Sequence, residues 1–391
     1  MTSAPSPFAA LPGAVLAEGG APAPLHYGGF LREQRELMAG RAVVDLAGLG
    51  ILRLEGADRR TWLDSLTTQR LRGLQAGESA EALLLSPEGR IEHAFGVLDD
   101  GEALLLLVER DAAEPLRAWL HRMRFMLDVR IADAGEELRA VAWLAPAADA
   151  EDGVGAVVGE LAPGARVWRD PWSAPPGWAV SYRAEGAEPE GAWPLAVAIV
   201  DPSEHAALAE AVAAGRIRAA GLIALEALRI AAWRPRAGAE IDARAIPHEL
   251  DWLRSAVHLD KGCYRGQETV AKVHNLGHPP RRLAMLHLDG SGGELPEPGA
   301  LLALQGAEPG PDGQPKPVGR ITSAAVHADD GPIALALLKR TLDPAAVLEA
   351  PLPGGGVATA AQTVIVDPGA GRNVDVPRIG RISGRAADRR G

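Results

Sequence analysis

From Val43 to Ile131 the apolar residues of this chain follow an order that few folds accommodate. Gly50–Leu54 reads as a strand, Asp58 stands as an N-cap before a short helix burying Trp62, Leu63 and Leu66, and Ala82–Leu85 reads as a second strand. "SPEG" (Ser86–Gly89), with Pro second and Gly fourth, and "DDG" (Asp99–Gly101) close hairpins around the strands Ile91–Val97 and Ala103–Val108. A helix over Asp111–Phe125, with Leu116, Leu120 and Met123 at helical spacing, leads to a returning strand at Asp128–Ile131. Strand, helix, strand, strand, helix, strand, with one strand extra, is the order of a ferredoxin-like split βαβ unit, expected over residues 43–135.

A looser version of that order runs through Arg139–Trp143, Val154–Leu161, Val167–Trp168, Trp178–Tyr182 and a helix from Ser203 to Ala213, which predicts a second α+β half over 138–275. The helix Leu222–Trp233 then shows two faces, Leu222, Leu225 and Leu228 on one and Glu226, Arg229 and Trp233 on the other. Pro279–Pro280 breaks the chain. Beyond it, short alternating runs (Leu283–Leu288, Ala300–Leu304, Val318–Ser323, Ile333–Leu338) predict a small antiparallel β-barrel over 279–366. Residues 1–25, rich in Pro, Ala and Gly, read as a flexible arm, and 367–391 as a flexible tail. The expected division is therefore arm, a two-half α+β domain (26–278), barrel and tail.

With 391 residues, more than one core is expected. A formal net charge of −11 repels a phosphate backbone over most of the surface, so direct nucleic-acid binding is not expected. No uncharged apolar run approaches the roughly 20 residues of a membrane helix. The single cysteine forms no internal disulfide, which suits a reducing cytoplasm.

That cysteine stands in "DKGCYRGQE", Asp260–Glu268. Gly262 and Gly266 bracket it and permit positive φ or close backbone approach, so the turn presents its side chains. Lys261 is a neighbouring cation that favours thiolate over thiol, while Gln267 and Glu268 add an amide and a carboxylate. A lone Cys is more often a small buried hydrophobe, but these charged, flexible neighbours favour a functional thiol. A zinc reading is available through His274 and His278, yet Gly277 and the prolines disfavour a helix through both histidines and no second cysteine supplies paired spacing, so no structural metal is expected.

The run Lys261, Gly262, Cys263, Tyr264, Gly266, Gln267, Glu268 matches every defined position of K-G-C-[FY]-x-G-Q-E and so resembles the YgfZ-type folate-binding proteins of iron–sulphur cluster assembly or repair, relatives of the glycine-cleavage T-protein, an aminomethyltransferase. "GLIALEALRIAAWRPRAGAEID", "IPHELDWLRSAVHLDKGC", "RAVVDLAGLGILRLEGADRRTWLDSLTTQ" and "VGRITSAA…IALALLKR" extend the resemblance in the same order along the chain. It implies two α+β halves around a central folate pocket with a docked C-terminal β-barrel, tetrahydrofolate or a derivative as cofactor, and iron–sulphur scaffold or client proteins as partners. It also implies Cys263 as the reactive group with Lys261 beside it, and Glu226 and Arg229 as folate-pocket residues.

Two departures stand out. The relatives' acidic pair after the "G-x-I" turn is replaced by His93 and Ala94, and their "G-Y-T-G-E-x-G" loop is absent, Trp178–Gly186 reading "WAVSYRAEG". Aminomethyl transfer is thereby disfavoured, though a folate-dependent aminomethyltransferase and a factor affecting tRNA modification remain the alternatives. Glu226 and Arg229 can equally form a surface i, i+3 pair, and Trp168, Trp172 and Trp178 can stack on a pterin or fill a core short of Phe and Tyr.

Overall fold

The computed structural model describes residues 5–17, 22–145, 153–189, 191–311 and 313–372. The chain runs through α1 (Phe30–Met38), β1 (Ala42–Asp45), β2 (Leu49–Glu55), α2 (Arg59–Leu66), β3 (Ser79–Leu85), β4 (Ile91–Asp99), β5 (Ala103–Glu109), α3 (Arg110–Met123) and β6 (Arg130–Asp133). Strands β3-β4-β5-β2-β6 form one antiparallel sheet in that order. Its β6-β2-β5-β4 portion is the expected split βαβ unit, and β3 is the extra strand at the edge.

The second half comprises β7 (Arg139–Leu144), α4 (Val154–Leu161), β8 (Arg166–Arg169), β9 (Leu195–Val200), α5 (Pro202–Ala213) and β10 (Arg218–Ala220). Its sheet, β10-β1-β7-β9-β8, repeats the same order with β1 inserted, parallel to β10 and antiparallel to β7. The expected boundary near 135 is thus crossed by β1, a fully buried AVVD that completes the second sheet. The strand expected at 178–182 is not formed, because the Asp251 carboxylate accepts from the Tyr182 N–H and the Ser181 hydroxyl and so takes the place of a strand neighbour. Its position falls to β9, an unbroken apolar run because both faces are covered: Ala196, Ala198 and Val200 meet α4 and α5, while Val197 and Ile199 face the first sheet.

The two sheets pack face to face through Ile51, Leu98, Leu105 and Leu107 on one side and Ala140, Ala142, Trp168 and Val197 on the other. The described part of the segment expected as an arm is packed: Phe8 is fully buried against Val43 and Val141, its ring 5.1 Å from that of His205. An aromatic side chain of that size outweighs the Pro/Ala composition around it. The rest of residues 1–4 and 18–21, and the tail from 373, lie outside the described residues.

Helices α6 (Leu222–Ala231), α7 (Ala237–Glu240) and α8 (Gln267–Leu276) join the halves to the barrel. Strands β11 (Arg281–Leu288), β12 (Leu301–Leu304), β13 (Gly319–His327), β14 (Gly331–Lys339), β15 (Leu348–Pro351) and β16 (Val357–Val364) close as β11-β14-β13-β12-β15-β16. The expected α+β organisation with an antiparallel barrel is the one observed.

Candidate functional site

Period-two alternation decides what faces the space between the sheets. On β4, Phe95 and Val97 pack on the helices, which leaves Ala94, Gly96 and Leu98 toward the second sheet. On β5, Leu107 and Glu109 share that inner face. A Cβ on Gly96 would lie 2.8 Å from the Trp168 indole, so glycine lets the ring lie flat on the strand, its Nε1–H donating to the Ala80 carbonyl at 2.8 Å. The result is an open-sided cavity of about 180 Å³, bounded by Leu107, Trp168, Trp193, Trp252 and three arginines.

The arginines are held differently. Arg234 is buried and donates to Glu81 at 2.5 Å and Asp170 at 2.9 Å. Glu81 also accepts from the Trp252 indole and the Ser255 hydroxyl, and Asp170 from the Trp193 indole. Burial pushes the Glu81 carboxyl upward against the pull of Arg234. Arg229 forms two hydrogen bonds with Glu226 (2.7 and 2.9 Å) and one each with Glu240 (3.0 Å) and the Ser323 hydroxyl of β13 (2.6 Å). Burial raises the Glu226 carboxyl, but Arg229 and then Arg236 outweigh it and hold its pKa at about 2. Glu226 and Arg229 are therefore a brace between α6, α7 and the barrel, with Arg229 also lining the cavity, and not a surface pair.

At the mouth Arg236 donates to Glu109 at 3.1 Å and lies 3.5 Å from Glu226, while its Nε has no partner. A groove lined by Glu92, His93, Ala94, Glu109 and Arg236 continues from there. Burial lowers the His93 pKa, and its Nδ1 is unpartnered. Beside it the inner face presents the methyl of Ala94.

The thiol of Cys263 is exposed on a loop whose neighbours are fixed. Lys261 turns away from it. Its buried ammonium donates to the carbonyls of Asp64, Thr67 (2.7 Å) and Gln69 (2.8 Å), which uses all three N–H bonds. Burial lowers its pKa to about 8, so Lys261 anchors the loop to the first half. Tyr264 is buried, and the Gln267 amide donates to the Lys261 carbonyl at 3.4 Å.

Of the two bracketing glycines, Gly266 alone has positive φ (+82°), at the N-terminus of α8; a Cβ there would come 2.5 Å from the Ser86 carbonyl. Gly262 meets nothing nearby, and Glu268 is exposed in the first turn of α8. Arg265 connects loop and groove, pairing with Glu92 at 2.8 Å and stacking over Trp119.

Helix α8 carries His274 but ends at Leu276, so His278 lies beyond it. His274 Nδ1 meets the Tyr182 hydroxyl at 3.0 Å, and His278 Nδ1 the Ala370 carbonyl at 2.9 Å. Among the described residues no three His, Cys, Asp or Glu are grouped to hold a metal ion. Trp172 lies in the core under Arg234 and Arg254, and Trp178 stacks on His258, leaving Trp168 as the cavity's member of the three. Glu81, Asp170, Arg234 and Glu109 were not singled out by sequence; only Arg234 and Arg236 fall within a motif stretch, the "RPRAG" after Trp233. No described helix is long and apolar enough to cross a membrane.

The fold and this central cavity define a T-protein-like protein. No family model matches the chain. It is 25% identical over 303 residues to a chloroplastic protein of Arabidopsis thaliana named as a transferase, and 25% identical over 118 residues to the aminomethyltransferase of Synechococcus sp. (strain CC9311). These matches span 73% and 28% of this chain, and 62% and 32% of the relatives' own lengths. The glycine cleavage system aminomethyltransferase T from Bartonella henselae superposes with a TM-score of 0.68 at 18% identity, over 90% of this chain and 93% of that one, which shows the fold. Relatives and fold together place the chain in the glycine-cleavage T-protein/aminomethyltransferase superfamily.

Proposed function

We propose that this protein is a YgfZ-type, folate-binding accessory factor in iron–sulphur cluster assembly or repair. The observation that carries the reading is the presentation of Cys263: an exposed thiol on a loop pinned by Lys261, Tyr264 and Gly266. A pinned loop offers a thiolate at a fixed position while losing little conformational freedom on meeting a partner, which suits it to supply one ligand to a cluster carried by a scaffold or client protein. The cavity between the sheets, aromatic on its walls and charged at floor and mouth, is suited to a tetrahydrofolate. The protein then acts in a reducing cytoplasm, without direct nucleic-acid binding, and any effect on tRNA modification passes through iron–sulphur enzymes.

The names of the relatives favour a second reading, a folate-dependent aminomethyltransferase. Ala94 argues against it, since a methyl group neither takes nor gives a proton. The test is a cell lacking the protein, complemented with wild type or Cys263→Ala. Wild type restores iron–sulphur enzyme activity under oxidative stress and Cys263→Ala does not. Equal rescue by both removes the thiol role, and folate-dependent glycine cleavage by the purified protein establishes the second reading instead.

A further inference from the structure

We propose that a second pocket, separate from the central cavity, binds a small carboxylate whose charge meets Arg110 and Arg139 and whose short apolar tail lies against leucine and isoleucine side chains. The pocket holds about 140 Å³ and shares only Leu46 and Leu49 with the central cavity. It lies where the chain passes between the two halves. The β1–β2 corner supplies Leu46 and Leu49, the β6–β7 corner supplies Leu138 and Arg139, and the N-terminal segment lays Ser6 against them. His205 of α5, only 1% exposed, adds a further wall.

The lining is cationic and contains no Asp or Glu. Arg110 donates to the Ala47 carbonyl, and Arg139 through one Nη to the carbonyls of Gly135 (2.7 Å) and Leu138 (2.9 Å). Neither pairs with a carboxylate among the described residues, whereas Arg229, Arg234 and Arg236 of the central cavity all do. Their remaining N–H groups are free for an anion, and a guanidinium holds a carboxylate by two parallel, charge-assisted hydrogen bonds. Ser6 adds a neutral donor: its Oγ accepts from the Phe8 N–H at 3.2 Å, which leaves the hydroxyl hydrogen unused. The acid behind His205 does not compete, since Asp45 is outside the lining, its Oδ1 meeting His205 Nε2 and the Ala47 N–H, both at 3.1 Å. Leu46, Leu49, Ile51 and Leu138 make the rest of the wall apolar, which an inorganic anion would leave uncovered. A cavity of about 150 Å³ takes one benzene ring, so a ligand of about six heavy atoms fits.

The test titrates the full-length protein against butyrate and follows the ligand's proton NMR signals, with butan-1-ol as the uncharged counterpart and inorganic phosphate as the anion without a tail. Butyrate binds saturably and more tightly than either control, and tetrahydrofolate does not displace it. Arg139→Gln weakens butyrate binding by about tenfold, as expected for a hydrogen bond between charged groups. Arg110→Gln, at an exposed position, serves if the Arg139 variant folds poorly. Lack of saturable binding, equal affinity for butan-1-ol or phosphate, or unchanged affinity in a folded arginine variant overturns the assignment. Displacement of butyrate by tetrahydrofolate also overturns it, by placing the carboxylate in the central cavity, and leaves the folate reading standing.

Discussion

Lys261 and Cys263 flank a single glycine and have opposite surroundings, one ammonium sealed among carbonyls and one thiol in solvent. Lys261→Met leaves three buried carbonyls without their donor and is expected to cost about 2–3 kcal/mol in chemical denaturation. Cys263→Ala is expected to stay within about 0.5 kcal/mol of wild type, as surface changes do. His248 belongs to the same neighbourhood. Its Nε2 meets the Val270 carbonyl of α8 at 3.1 Å, and burial pushes its pKa down to about 3. Between that value and the ordinary 6.5 the unfolded chain binds the extra proton, so its contribution is intact above 6.5 and is lost as pH falls, at about 1.4 kcal/mol per unit. Denaturation from pH 7 to 5 should show His248→Phe gaining on wild type by that slope. The sequence made the isolated thiol visible, but not the direction of Lys261, whose acceptors belong to the distant 64–69 segment.

At the scale of elements, two seams hold the site. Helix α8 sits on the β3–β4 turn through Gly266, where a side chain would meet both strained φ and the Ser86 carbonyl. Gly266→Ala should therefore cost more than about 2 kcal/mol and speed proteolysis near the loop. The barrel is tied in by Glu240, fully buried and accepting from Arg229, Thr322, Ser323 and the Arg236 N–H. Glu240→Ala removes one of the two carboxylates that pair with the buried Arg229, leaving Glu226, and takes an acceptor from the Thr322 and Ser323 hydroxyls, and is expected to cost about 1–3 kcal/mol. Period-two and helical patterns revealed the first sheet and most barrel strands. They gave no account of β1, which joins the half that follows it by 90-odd residues of chain, nor of the 178–182 segment, whose alternation is overruled by one aspartate. Charged braces such as Glu81–Arg234–Asp170 bring together residues from three separate segments, and no local pattern marks them.

For the whole molecule, two sheets face each other across a cavity, the barrel braces it through Arg229, and the Cys263 loop reaches its groove through Arg265 and Glu92. Loop and cavity are thus joined by one short path along the start of β4, and occupancy of the cavity should be felt at the thiol. At a tetrahydrofolate concentration 100-fold above its dissociation constant, stability should rise by about 2.7 kcal/mol. The most direct test of a single folate-linked thiol site is the alkylation rate of Cys263 followed through a tetrahydrofolate titration. The account predicts a rate that changes saturably with the same dissociation constant as binding; a rate indifferent to a ligand that demonstrably binds would contradict it.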